Sequence, residues 1–279
     1  MDPETLNQIH HFCSHFAGHE ESFVLIGGSA CSCWYADSPT SFRGTRDIDV
    51  VIVVEALNRE FVDLLVSYLR GNGYASWVRH PHDGPAKRVM YRFVNPANRQ
   101  AAAQIELLSR SGEIRRIESL QRAVPLKAEG EYTGLSGIVL DDAYYDFIRT
   151  QRQTVMGCPV LSLPALVLLK IKAFLNLGAA AAAAAAPPQG SDSAADNCKK
   201  HRNDVFFMLA TMEPELYATP IPLAPALMED LSAFTAQFMN DPSAESAVRD
   251  SLRRRLGRAF PFSMEILIST LNAMFIPAE

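Results

Sequence analysis

Asp47 and Asp49 stand one residue apart at the head of a run of β-branched residues that continues through Val50, Val51, Ile52, Val53 and Val54. Such a run reads as a buried strand. Side chains alternate along a strand, so the two carboxylates share a face with Val51 and Val53, and Ile48, Val50, Ile52 and Val54 fill the other. An ionised carboxylate is costly to bury unpaired, and two neighbouring carboxylates repel each other. A hard divalent cation removes both costs. Mg²⁺ takes oxygen ligands, often one or two carboxylates completed by substrate phosphates. The plainer alternative is an aspartate pair at a solvated strand end.

A second element lies upstream. Phe23-Val24-Leu25-Ile26 is an apolar strand that runs into Gly27-Gly28-Ser29. Glycines let a backbone approach a phosphate closely. Ser29 is placed to cap the helix that follows, and helix amino ends attract anions. Taken alone, this is an ordinary strand–turn–helix junction.

Strand-Gly-Gly-Ser-helix followed by Arg43-x-Thr45-x-Asp47-x-Asp49-strand resembles the nucleotidyltransferase superfamily. The long spacing from Gly27-Gly28 resembles most the abortive-infection toxin branch called AbiEii. The resemblance covers residues 23 to 54 closely and the rest of the chain more loosely. It implies a nucleotidyltransferase-like α+β fold and an enzyme using Mg²⁺ or Mn²⁺. Such an enzyme moves a nucleoside monophosphate from a nucleoside triphosphate to an acceptor hydroxyl. In some relatives the acceptor is tRNA, and a toxin-like role implies an antitoxin partner. Gly28, Ser29, Arg43 and Thr45 are then nucleotide-binding residues, and Asp47 and Asp49 are catalytic metal ligands. A third acid on a following strand commonly serves such sites as base and ligand. Glu106, on the expected strand Gln104–Leu108, is the candidate, although aspartate is the commoner residue there.

Further positions in the chain match later elements of that pattern. Lys170 and Ala173 fit a Lys-x-x-Ala helix whose lysine contacts nucleotide phosphates. A lysine inside an apolar helix otherwise snorkels or meets an anion. Lys172 is expected to be solvated. Lys200, Arg202 and Asp204 precede the apolar run Val205–Leu209 and resemble a basic-residue-plus-aspartate element. Asp204 is expected to orient Lys170 or Lys200, with Lys200 and Arg202 on the nucleotide. An ordinary surface ion pair between Lys200 and Asp204, at i and i+4, is the alternative. Two readings compete with the toxin-type enzyme: transfer to a small molecule such as an antibiotic, and a nucleotide-binding module without catalysis.

Composition sets outer bounds. The 279 residues, 48% of them hydrophobic, suffice for one large domain or two modest ones. The formal net charge of −5 argues against general polyanion binding. Arginines cluster at Arg110, Arg115, Arg116 and Arg122 and again from Arg249 to Arg258, a pattern usual for solvated helix faces. The five cysteines show no zinc spacing and read as reduced thiols of a cytoplasmic protein. No signal peptide or membrane-spanning run is evident.

The elements that must carry these residues follow from periodicity. Helices are expected over 4–17, from Ser29 to about Tyr35, and from Asn58 to Gly71. Strands are expected near 77–79, 87–94, 104–108, 124–127 and 137–140. These make a mixed sheet with helices, a catalytic domain over 1–140. A mainly helical domain is expected over 141–279 and contributes to the nucleotide site. Its helices begin with 141–152 and with 165–177 behind a Ser162 cap and Pro164. A mobile loop is expected over 178–196, where eight alanines lie between Gly178 and Pro187-Pro188. Helices over 198–212, 226–239, 244–256 and 263–274 complete the chain, with a proline-rich linker over 214–225.

Overall fold

A computed structural model describes residues 3–78, 91–110, 126–127, 142–183, 194–239 and 241–278. The fold is α+β, with a helical carboxy-terminal region. Its residues form two compact units, one reaching Ser162 and one beginning at Leu163.

The first unit is built on an eight-stranded mixed sheet. Its strands are β1 (Phe23–Ile26), β2 (Asp47–Ile52), β3 (Ala75–Val78), β4 (Tyr91–Val94), β5 (Gln104–Leu108), β6 (Leu126–Lys127), β7 (Arg152–Val155) and β8 (Cys158–Leu161). They lie side by side in the order β6-β3-β4-β5-β2-β1-β8-β7. Among the described residues four helices accompany them: α1 (Pro3–His15), α2 (Gly27–Trp34), α3 (Arg59–Gly71) and α4 (Asp142–Thr150). β1 runs antiparallel to β2, and β5 runs parallel to β2 on its other side. All four residues of β1 are buried, as an unbroken apolar run in mid-sheet requires.

Periodicity explains the helices. Ile9, Phe12, Cys13 and Phe16 recur on one side of α1 and its carboxy-terminal turn, and all are buried. They meet Phe23 of β1 and Phe61 and Tyr68 of α3 in an aromatic cluster. Tilted and edge-on ring pairs of this kind add to the area they bury. Asn58 caps α3 through its side-chain oxygen, which accepts from the Phe61 amide at 2.8 Å.

The domain boundary differs from the sequence expectation of residue 140. Leu25 of β1 pairs with Val160 of β8, and the Trp34 indole N–H donates to the Leu161 carbonyl at 2.9 Å. These two ties hold residues 142–161 to the first unit. The β7–β8 hairpin had no clear sequence signal, because β8 is buried throughout and β7 is largely exposed.

The second unit contains α5 (Leu163–Ala183), α6 (Ala194–Thr211), α7 (Pro225–Phe238), α8 (Pro242–Leu256) and α9 (Met264–Ala273). Residues 163–171 of α5 are all buried, which makes it the central helix. Phe174, Phe206, Phe234 and Phe238 pack together between α5, α6 and α7. Asp241 caps α8 and Ser263 caps α9.

Three expectations here need correction. The loop expected from Gly178 is helical through Ala183, and α6 already begins at Ala194. Alanine is the best helix former, and a packed stem supplies the nucleus it extends. Ser162 does not cap α5, since its buried hydroxyl makes no hydrogen bond. The supposed linker over 214–225 holds a 3₁₀ turn and the strand β9 (Ile221–Leu223), which pairs in parallel with β10 (Phe275–Pro277). Expected structure over 79–90, 111–125 and 137–140 lies outside the described residues.

Candidate functional site

β2 presents Asp47 and Asp49 on one face, both half-buried, while Ile48 and Val50 on the other face are buried in the core. The expected alternation therefore holds. The parallel register sets Asp49 directly beside Glu106 of β5, and Asp47 beside Gln104. Arg92 of β4 stands opposite Glu106 on the far side. Asp49, Glu106 and Arg92 thus form one row across three strands.

Glu106 is already engaged. Its Oε1 lies 2.7 Å from Arg92 Nη2 and accepts from Gln104 Nε2 at 2.7 Å. Burial pushes its carboxyl above the usual range; the Arg92 charge opposes this, and the charge of Asp47 adds to it. Among the described residues no three His, Cys, Asp or Glu side chains gather as a metal-holding group. The donor set instead fits a two-carboxylate site, with Asp47 and Asp49 offering hard oxygens and leaving positions for phosphate and water. Glu106 stands beside Asp49 in the register and is ion-paired with Arg92.

The Gly27-Gly28 pair sets how α2 meets this strand. Gly27 has φ +63°, a backbone region that disfavours a side chain. A Cβ there would collide with the Asp49 carboxylate. A Cβ on Gly28 would come within 2.8 Å of Thr45 Cβ. Both glycines are therefore needed for the open amino end of α2 to lie against Asp49 and Thr45. The positive end of the helix dipole favours an anion at this place.

Ser29 is not the cap expected of it. The helix begins at Gly27, and Ser29 is fully buried with its hydroxyl donating to the Ile26 carbonyl at 3.0 Å. Thr45 turns its hydroxyl to the Asp47 backbone, accepting from the amide at 3.4 Å. Arg43 is half-buried, its guanidinium 5.6 Å from the Phe42 ring centre.

The remaining predicted site residues belong to the second unit. Lys170 meets its anion there: its ammonium lies 3.1 Å from Asp204 Oδ2, and both residues are 1% exposed. Of the two basic residues expected to pair with Asp204, Lys170 is found in this buried ion pair. Arg255 of α8 joins them, with Nη1 3.9 Å from Asp204 Oδ1 and its guanidinium 3.4 Å above the Phe207 ring. Its role could not be read from the charge run in which it stands. Lys200 is exposed. Arg202 is half-buried and donates to Asn203 Oδ1, with burial drawing its guanidinium below its usual range. Lys172, expected in solvent, pairs with Asp230 at 2.7 Å.

No known protein family matches this chain, and no curated protein is significantly similar to it. No described helix is long and apolar enough to cross a membrane.

Proposed function

We propose that the chain is a metal-dependent nucleotidyltransferase acting in the cytoplasm. The observation that carries the reading is the placing of Asp47 and Asp49 on one face of β2, with the Asp49 carboxylate against Gly27 at the amino end of α2. Asp47 and Asp49 would hold Mg²⁺ or Mn²⁺, which when bound supplies Lewis-acid polarisation of a phosphoryl oxygen. The Gly27-Gly28 backbone lets the Asp49 carboxylate and the Thr45 side chain come close to the amino end of α2. Arg43 and Thr45 flank the entry to the same strand. Five free thiols suit a reducing compartment. The acceptor is a hydroxyl, on tRNA if the toxin-type resemblance extends to the substrate, with an antitoxin as partner in that case.

One observation favours a second reading, a nucleotide-binding module without transfer. Glu106 is held by Arg92 rather than standing ready as a third acid. Incubation with labelled triphosphates and Mg²⁺, against total RNA and against aminoglycosides, separates the readings. Transfer of label by the wild type and none by a folded Asp47→Ala variant is the expected result. Bound but untransferred nucleotide would favour the module. Modification of the aminoglycoside would move the acceptor to a small molecule.

A further inference from the structure

One end of the first unit carries a second feature that the transferase reading leaves unused. Thr45 and Arg46 enter β2, and Ala103 enters the neighbouring β5 one residue before Gln104, the partner of Asp47. Beyond this end of the two strands lies a cavity of about 390 Å³. Its walls include Glu4, Thr5 and Gln8 from the first turns of α1, Thr45 and Arg46 from the approach to β2, and Arg99 from the β4–β5 connection.

The charges of this cavity are unbalanced. Arg46 and Arg99 are both exposed, and among the described residues neither guanidinium has an ion-pair or hydrogen-bond partner. The single acid in the lining, Glu4, accepts from the Gln8 amide at 3.5 Å. Thr5 fixes the geometry by donating its hydroxyl to the Thr45 carbonyl at 3.1 Å, which ties the amino end of α1 to the strand. That helix end adds partial positive charge within its first turn. Two guanidiniums lining one cavity beside a helix amino end supply donors suited to phosphate. A neighbouring cavity of about 600 Å³ shares Glu4, Gln8 and Arg99 and continues along α1 past Asn7 and His11. Its lining residues are mostly uncharged and turn largely apolar surface to the cavity, which is too large for an inorganic ion alone.

We infer that the paired cavities bind an organic phosphate, with the phosphate between Arg46 and Arg99 and the organic part along α1. The lining contains neither Asp47 nor Asp49, although it shares Thr45 with the transferase site, and the inference does not depend on the transferase reading. Calorimetric titration without added metal tests it, using inorganic phosphate, a nucleoside 5′-monophosphate and a hexose phosphate as probes. Each organic phosphate is compared with its unphosphorylated parent. Wild type should bind at least one organic phosphate more tightly than its parent, and the tighter of the two names the organic class. An Arg46→Gln/Arg99→Gln double variant should bind about tenfold more weakly or worse. Both residues are exposed, so the variant should keep the wild-type circular dichroism and melting temperature. Asp47→Asn should bind as wild type does, because its carboxylate is not in this lining. Equal affinity of wild type and the double variant would overturn the inference, as would absence of binding to every phosphate. Loss of binding in Asp47→Asn alone would transfer the phosphate to the carboxylate site and likewise overturn it.

Discussion

Lys170 and Asp204 show what a buried charge demands of its surroundings. An ammonium and a carboxylate sealed from water each carry a desolvation cost of several kcal/mol, which only mutual pairing offsets. Removing one partner strands the other. Asp204→Asn should therefore destabilise the protein by about 3–5 kcal/mol, read from the midpoint of urea unfolding. Replacing both residues with apolar ones of similar size should recover most of that loss. A shift below about 0.5 kcal/mol in the single variant would mean that Lys170 reaches another anion or water. The Glu106–Arg92 pair is the contrasting case. Arg92 keeps 30% of its side-chain exposure, so solvent screens it and its contribution is smaller. Sequence reasoning put Asp47 and Asp49 on one strand face from the residue pattern, and proposed Glu106 on a neighbouring strand from the family resemblance. Arg92 escaped it, because nothing local marks which basic residue will stand opposite a given acid.

The helix α1 is held to α3 partly through imidazoles. His11 Nδ1 shares a hydrogen bond with the Tyr68 hydroxyl at 3.0 Å, and His15 Nε2 reaches the Leu64 carbonyl at 3.1 Å. Burial first, and the His15 charge second, hold His11 below its ordinary pKa of 6.5. The folded state thus binds the proton less readily than the unfolded chain does. Stability from this source is present above pH 6.5 and is lost as pH falls through the lowered folded value. Thermal melts between about pH 8 and about pH 5 should show part of the acid loss in wild type and less of it in His11→Asn. Parallel pH profiles for the two proteins would assign the acid sensitivity to other groups.

Across the molecule, the thiols offer a probe of opening. Cys13, Cys31, Cys33 and Cys158 are buried in the first unit, and Cys198 is half-buried in the second. Cys13 and Cys33 each lie beside Cys158, so α1, α2 and β8 must part before a reagent can enter. A thiol reagent should modify Cys198 first in the native protein, although burial raises its thiol and slows the reaction. The four others should react only at the rate of local or global opening, and all five should react at once in denaturant. Rapid labelling of Cys158 in the native state would show that the first unit opens more readily than its packing implies.

Much of this architecture was legible locally. The β-branched run after Asp47, the apolar stretch Phe23–Ile26, the Asn58 cap and the helices beginning near Pro225, Pro242 and Met264 all follow from side chains reading their immediate neighbours. Period and capping act within a few residues, so the chain carries them openly. Pairing across the chain is another matter. That Asp49 stands beside Glu106, that Arg92 neutralises Glu106, and that Arg255 lies over Phe207 next to Asp204 depends on residues tens of positions apart. The assignment of residues 142–161 to the first unit depended on β8 finding β1, a contact worth nothing until the sheet exists. Even the alanines through Ala183, helical in propensity but close to breakers, took their form from the buried stem of α5. Local geometry costs the chain only its own backbone entropy. A partner for a buried charge or a strand edge exists only once the fold has brought the two within a few ångströms and excluded water between them.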